Sequence, residues 1–179
     1  MGTCIKCGKP TRKEWHEYCE ECFREIRGQQ NSRSIASRSS SRPGLPKDYL
    51  KHGYFDSQGV LRPEMVVEHA EAVARALGKA KVTSTQLRRF FNKARLVEQH
   101  LDSGASWESQ KSELLTLKPL AANVVGRASS RREREKLEIF RTFIEKNVGW
   151  AVDSEKSFRE GFLVHFQSVI AYFKYHNFR

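Results

Sequence analysis

From about Leu61 onward, large apolar side chains recur at intervals of three and four residues and nowhere alternate long enough to build a strand. That period confines residues 61–179 to an all-α fold and divides them into five helices. The first opens with Pro63, which a first turn tolerates, carries Val66, Ala70, Val73 and Leu77, and is expected to stop at Gly78. The second begins with a capping box of Thr83 and Gln86 and runs Leu87, Phe90, Phe91, Ala94, Val97 and Leu101 along one side. Ser106 caps the third, with Trp107, Leu114 and Leu115 inward and Pro119 bending or breaking it before Leu120, Val124 and Val125. The fourth, from about Arg132 to Val148, shows Leu137, Phe140, Ile144 and Val148. Asp153 or Ser154 caps the fifth, whose Phe158, Phe162, Phe166 or His165, Val169, Ile170 and Phe173 form the strongest stripe of the chain. Short connections between amphipathic helices predict an antiparallel five-helix bundle. The phenylalanines read as its core, with a base-stacking platform as the alternative.

Ahead of this region stand two CxxC pairs, Cys4/Cys7 and Cys19/Cys22. Each pair can direct two thiolates at one cation, and together they supply the four soft ligands of a closed tetrahedral zinc site. Such a shell leaves no position for a catalytic water, so the metal is expected to fold residues 1–27 into a small zinc-ribbon-like knuckle packed by Trp15 and Phe23. His16 is an alternative ligand, and a redox dithiol an alternative chemistry. The latter normally needs a CxxC opening a helix in a thioredoxin-like fold, and no such strand pattern surrounds these pairs.

Residues 28–60 read as a tether and docking segment. Its first part is rich in serine, arginine, glycine and proline, has no acidic residue, and holds only Ile35 and Leu45 as large aliphatic groups, too little to order itself. Arg33, Arg38 and Arg42 space it evenly. Tyr49, Leu50, Tyr54 and Phe55 follow, and either the bundle or a neighbouring molecule could receive them.

The formal net charge is +11, which favours an extended polyanion as partner over a small acidic metabolite. On the second helix Arg88, Asn92 and Arg95 share one flank, Arg89 lies further round the polar side, and Lys93 faces the opposite flank. Lys118 precedes Pro119, Arg127 closes the third helix, and Arg131 and Arg132 open the fourth. Cations there oppose the helix dipole and invite an external anion, unless Glu133, Glu135 and Glu138 neutralise them. Arginine forks suit phosphate oxygens, a contact that carries little sequence information and weakens steeply with salt.

The blocks TSTQLRRFFNKARLVE, LLTLKPLAANVVGRA and FREGFLVHFQSVIAYFKYH, spread between Leu61 and Arg179, resemble the small helical subunit of type III-A CRISPR effector complexes, the Csm small subunit. The resemblance implies a non-catalytic bundle that stacks head to tail with copies of itself, beside other effector subunits, and holds target RNA while a guide RNA pairs with it. It places RNA contacts at Arg88, Lys118 and Arg127. Base pairing then supplies the sequence reading, and the protein need only grip backbone and shape. Leu96, apolar on a polar face, is a candidate stacking contact. The knuckle and tether lie outside the resemblance.

The rival reading is a zinc-knuckle DNA-binding regulator with a helical dimerisation domain. An enzyme is not expected: six histidines share no spacing, and no paired-carboxylate block, glycine-rich phosphate loop or HExxH occurs. No apolar run approaches the roughly 20 residues of a membrane span, and the N-terminus lacks a signal-peptide stretch. The expected setting is therefore a prokaryotic cytoplasm, where reduced thiols favour a metal site over disulfides.

Overall fold

A computed structural model of the chain describes residues 44–178 together with Cys4, Cys7, Cys19 and Glu21. The chain divides into two compact units, Met1–Arg42 and Pro43–Arg179. Trp15, His16, Cys22, Phe23 and the tether arginines lie outside the described residues.

The second unit is the expected all-α bundle; among the described residues there is no strand, only an isolated bridge between Phe55 and Leu61. Its five rods are α1 (Pro63–Val66) continued by α2 (Glu68–Lys79), α3 (Ser84–Asp102), α4 (Trp107–Leu115) continued by α5 (Leu117–Gly126), α6 (Arg131–Ala151), and a π-helical stretch (Ser157–Leu163) continued by α7 (Val164–Tyr175). Helix α5 packs on α6, α2 on α7, and the π-helical stretch on α6, while α3 lies against α4 and α7.

The second rod starts as its sequence dictates. The Thr83 hydroxyl accepts from Gln86 N–H at 3.1 Å, and the Gln86 side chain accepts from Thr83 N–H at 2.8 Å, satisfying two of the donors a helix start leaves bare. Ser106 and Ser154 likewise accept from Ser109 and Ser157 N–H.

Helix α2 ends later than expected. Gly78 sits inside it because a Cβ there would overlap the Phe178 ring. The stop falls at Lys81, held at φ +66°, where Val82 N–H reaches Leu77 O and Lys81 N–H reaches Gly78 O, the paired bonds of a left-handed helix terminus. Pro119 does not break the third rod either. The break lies at Thr116, and Pro119 occupies the first turn of α5, where no intrahelical N–H is needed. Leu115, expected inward, is 41% exposed, and Leu114 and Leu117 take the interior. In the first rod Met65 is buried where Val66 was expected, because the kink at Val67 rotates the first turn.

The phenylalanines of the last rod are core: Phe158, Phe162, Phe166 and Phe173 are buried. They meet Phe91, Phe143 and Trp107 at centroid distances of 5.2–5.7 Å, and so offer no platform to a ligand. Tyr49, Leu50 and Tyr54 dock on the bundle itself and are buried in the same core. Residues 44–60 therefore pack within the second unit, ahead of the Leu61 boundary read from periodicity.

A polar chain pins that segment. Met65 O can only accept, so His165 Nδ1, 2.5 Å away, carries the proton and Nε2 accepts from the Tyr49 hydroxyl at 2.7 Å. Asn147 Nδ2 donates to the Tyr49 oxygen at 2.7 Å and to Phe143 O. The Tyr54 hydroxyl donates to Asn147 Oδ1 at 2.8 Å. The Tyr49, Tyr54 and Asn147 side chains and both His165 ring nitrogens thus have partners, the condition under which burying such groups is tolerated.

Candidate nucleic-acid interface and metal centre

Helix α3 carries its cations on two flanks because its apolar stripe faces inward between them. On one flank Arg89 and Lys93 face α5, and with Asn123 and Arg127 they rim a shallow groove floored by Phe90, Leu120 and Val124. Its volume is about 50 Å³, room for one or two water-sized polar groups and not for a nucleobase. On the other flank Arg88 and Ser84 face Lys174 of α7. A third recess, where α2 ends and α6 begins, is lined by Lys81, Arg132 and Lys136 beside Ser130 and Glu133.

The eight cations singled out by sequence do not share one patch. Arg89, Lys93 and Arg127 come together; Arg88 lies across α3 from them; Arg132 lines the α2/α6 recess. Three are ion-paired: Lys93 with Glu113 at 3.9 Å, Arg95 with Glu98, and Arg131 with Glu135 at 3.0 Å. The Lys93 and Arg131 pairs are substantially solvent-exposed and worth little. Arg88, Arg89, Lys118, Arg127 and Arg132 have no acidic partner among the described residues. Their charge is available to an external anion.

The start of α6 is satisfied from within. Ser130 Oγ accepts from Glu133 N–H at 3.2 Å, and the Glu133 carboxylate accepts from the Ser129 hydroxyl and N–H at 2.6 and 2.8 Å. The Ser129 hydroxyl holds the Glu133 carboxyl below the usual carboxylate range. Glu135 goes to Arg131 and Glu138 to Arg141, which leaves Arg132 unneutralised.

The distribution along the bundle is polar. Where α2, α5 and α7 end and α3 and α6 begin, Lys81, Arg88, Arg89, Arg127, Arg132 and Lys174 stand without counter-ions among the described residues. At the opposite end Arg159 bridges Glu155, Asp102 and Glu98 at 2.6, 2.8 and 3.9 Å, and Lys156 lies 3.8 Å from Glu160. Periodicity could not reveal Lys81, Asn123, Lys136 or Lys174 as neighbours of the sequence candidates, because each is brought in by a different helix.

In the first unit the Sγ atoms of Cys4, Cys7 and Cys19 lie within 4.8 Å of one another, with Cys7 and Cys19 3.5 Å apart. Four thiolates at about 2.3 Å from a tetrahedral zinc stand about 3.8 Å apart, so this convergence fits a soft cation. Cys4 and Cys19 are buried and Cys7 is exposed. The fourth expected ligand, Cys22, lies outside the described residues.

No described helix is long and apolar enough to cross a membrane. The fold and its surface define a small, basic helical-bundle protein that presents cation-rimmed grooves. The profile of the family described as Csm2 Type III-A matches residues 61–179, well over half of the chain, and the chain belongs to that family, the small subunit of the type III-A CRISPR Csm complex. Its partners are accordingly other Csm subunits. The chain matches no curated protein and no solved structure.

Proposed function

We propose that this subunit holds target RNA by its backbone against the guide RNA in a type III-A CRISPR ribonucleoprotein, without catalysing a reaction, in antiviral defence in the cytoplasm. The observation that carries the reading is the groove between α3 and α5, where Arg89, Lys93 and Arg127 converge around an apolar floor. Arg88, Lys118 and Arg132, which stand outside that groove without acidic partners among the described residues, offer further phosphate contacts, and Arg95 and Arg131, held by glutamates, contribute less. Guanidinium forks at such a rim match phosphate oxygens and read no sequence. Copies of the subunit stack head to tail, and Leu96, 50% exposed on the polar side of α3, contributes to that contact. A zinc ion held by Cys4, Cys7, Cys19 and Cys22 folds the first unit and does no chemistry.

Replacing Arg89, Lys93 and Arg127 together by glutamate tests the reading. RNA retention in a salt series should fall at least tenfold, and the slope against log salt should shrink by about two for three lost contacts to a single strand. Unchanged affinity, or tighter binding to one duplex DNA sequence than to RNA, overturns it.

A further inference from the structure

The side chain that stands furthest into solvent among the described large apolar residues is Tyr175, 76% exposed at the last position of α7. It sits at the end of the bundle where cations lack counter-ions, next in sequence to Lys174, which rims a groove with Arg88. Local structure fixes its place. Asn177, at φ +52°, turns the chain back so that Phe178 packs against Phe173 at 5.2 Å and its carbonyl accepts from the Ser84 hydroxyl. His176, tied to Glu71 at 3.1 Å, sets its ring edge-on to Tyr175, with centroids 5.1 Å apart. One side of the phenol ring is thereby backed, and the rest is open.

We infer that Tyr175 is a stacking platform for an unpaired base of a single-stranded ribonucleotide chain whose phosphates lie on Arg88 and Lys174, an inference that rests on the RNA-holding reading above. The surroundings select this ligand. A protein partner anchored by an aromatic residue needs that residue inside a dry, well-packed patch. Tyr175 stands among charges, and the other strongly exposed apolar side chain of its helix, Val164, lies three turns away. A π face amid unneutralised cations suits a polymer that carries a flat base and an anionic phosphate on each unit. Any base presents such a face, so the contact is blind to sequence.

The test uses the full chain with two labelled oligomers, an oligouridylate and an abasic chain of the same length, read by fluorescence anisotropy. Tyr175→Ala should weaken the oligouridylate roughly tenfold and leave the abasic oligomer unchanged, whereas Tyr175→Phe should stay within about twofold of the parent on both. No loss with Tyr175→Ala, or equal loss on both oligomers, overturns stacking. If the Arg89, Lys93 and Arg127 variant loses both oligomers while Tyr175→Ala loses neither, the backbone reading stands and only the platform falls. If the parent chain binds neither oligomer, both readings fall.

Discussion

The Tyr49 hydroxyl lies 2.7 Å from His165 Nε2, joining two residues 116 positions apart through a bond sealed from solvent. Desolvation by burial lowers the His165 pKa to about 4, against the pull of its bond to Met65 O. The neutral ring is the form that the fold accepts, since its unprotonated nitrogen accepts the hydrogen bond of the tyrosine hydroxyl.

Tyr49→Phe keeps the ring and removes the hydroxyl, leaving His165 Nε2 buried without a donor and costing Asn147 one of its two acceptors. The expected loss of stability is about 1–3 kcal/mol, measured by urea denaturation followed by circular dichroism. A change within experimental error would mean that water replaces the hydroxyl.

Acid should weaken the bundle through the same histidine. Between its unfolded value near 6.5 and its folded value near 4, the unfolded chain binds a proton that the folded chain refuses, so stability rises with pH across that window and is lost as pH falls through it. The contribution is at most about 3 kcal/mol. Urea midpoints of the parent and of His165→Gln should therefore lie further apart at pH 7.5 than at pH 4.5. Parallel pH profiles would assign the acid sensitivity to carboxylates instead.

Two helical glycines are occupied by neighbouring rings. A Cβ on Gly161 would lie 2.6 Å from the Tyr54 ring, and one on Gly78 would overlap Phe178, whereas Gly126 faces open space. Gly161→Ala and Gly78→Ala should each destabilise by about 1–3 kcal/mol. Gly126→Ala, relieved of glycine's entropic cost, should stabilise by up to about 1 kcal/mol. Thermal melts of the three variants check the order.

Removal of the proposed zinc should affect the first unit alone. Elemental analysis of the purified chain should find about one zinc per molecule, and a strong chelator or Cys7→Ser should release it while the helical circular dichroism of residues 61–179 persists. Collapse of the helical signal on chelation would show that the bundle depends on the metal. Iron in place of zinc would point to redox chemistry.

The helices were legible because one-sided burial writes itself into the chain at the helix period, and caps such as Thr83 with Gln86 need only neighbours in sequence. Gly78 misled because glycine serves two purposes, ending helices and admitting a close ring, and only the distant Phe178 decides between them. The exposed side of Leu115 follows from a break at Thr116, three residues ahead of the Pro119 to which the sequence assigns it. At the candidate interface, periodicity separated Arg88 from Lys93 across α3. It could not bring Arg127 or Lys174 to them, since nothing within a single helix states which partner lies beside it. Tyr49 and Tyr54 looked adhesive in sequence, but their receptor was His165 and Asn147, polar residues hidden within an apolar stripe.

The split between bare cations at one end and bridged charges at the other gives the folded unit a lasting electrical axis. Near a polyanionic strand, a freely tumbling subunit meets a torque before it meets a surface. Approach with the Arg159 end leading gains little attraction, so under the proposed RNA-holding role productive encounters should begin already aimed. Orientation would then be selected during diffusion, and ionic strength would set how far from the strand that selection starts.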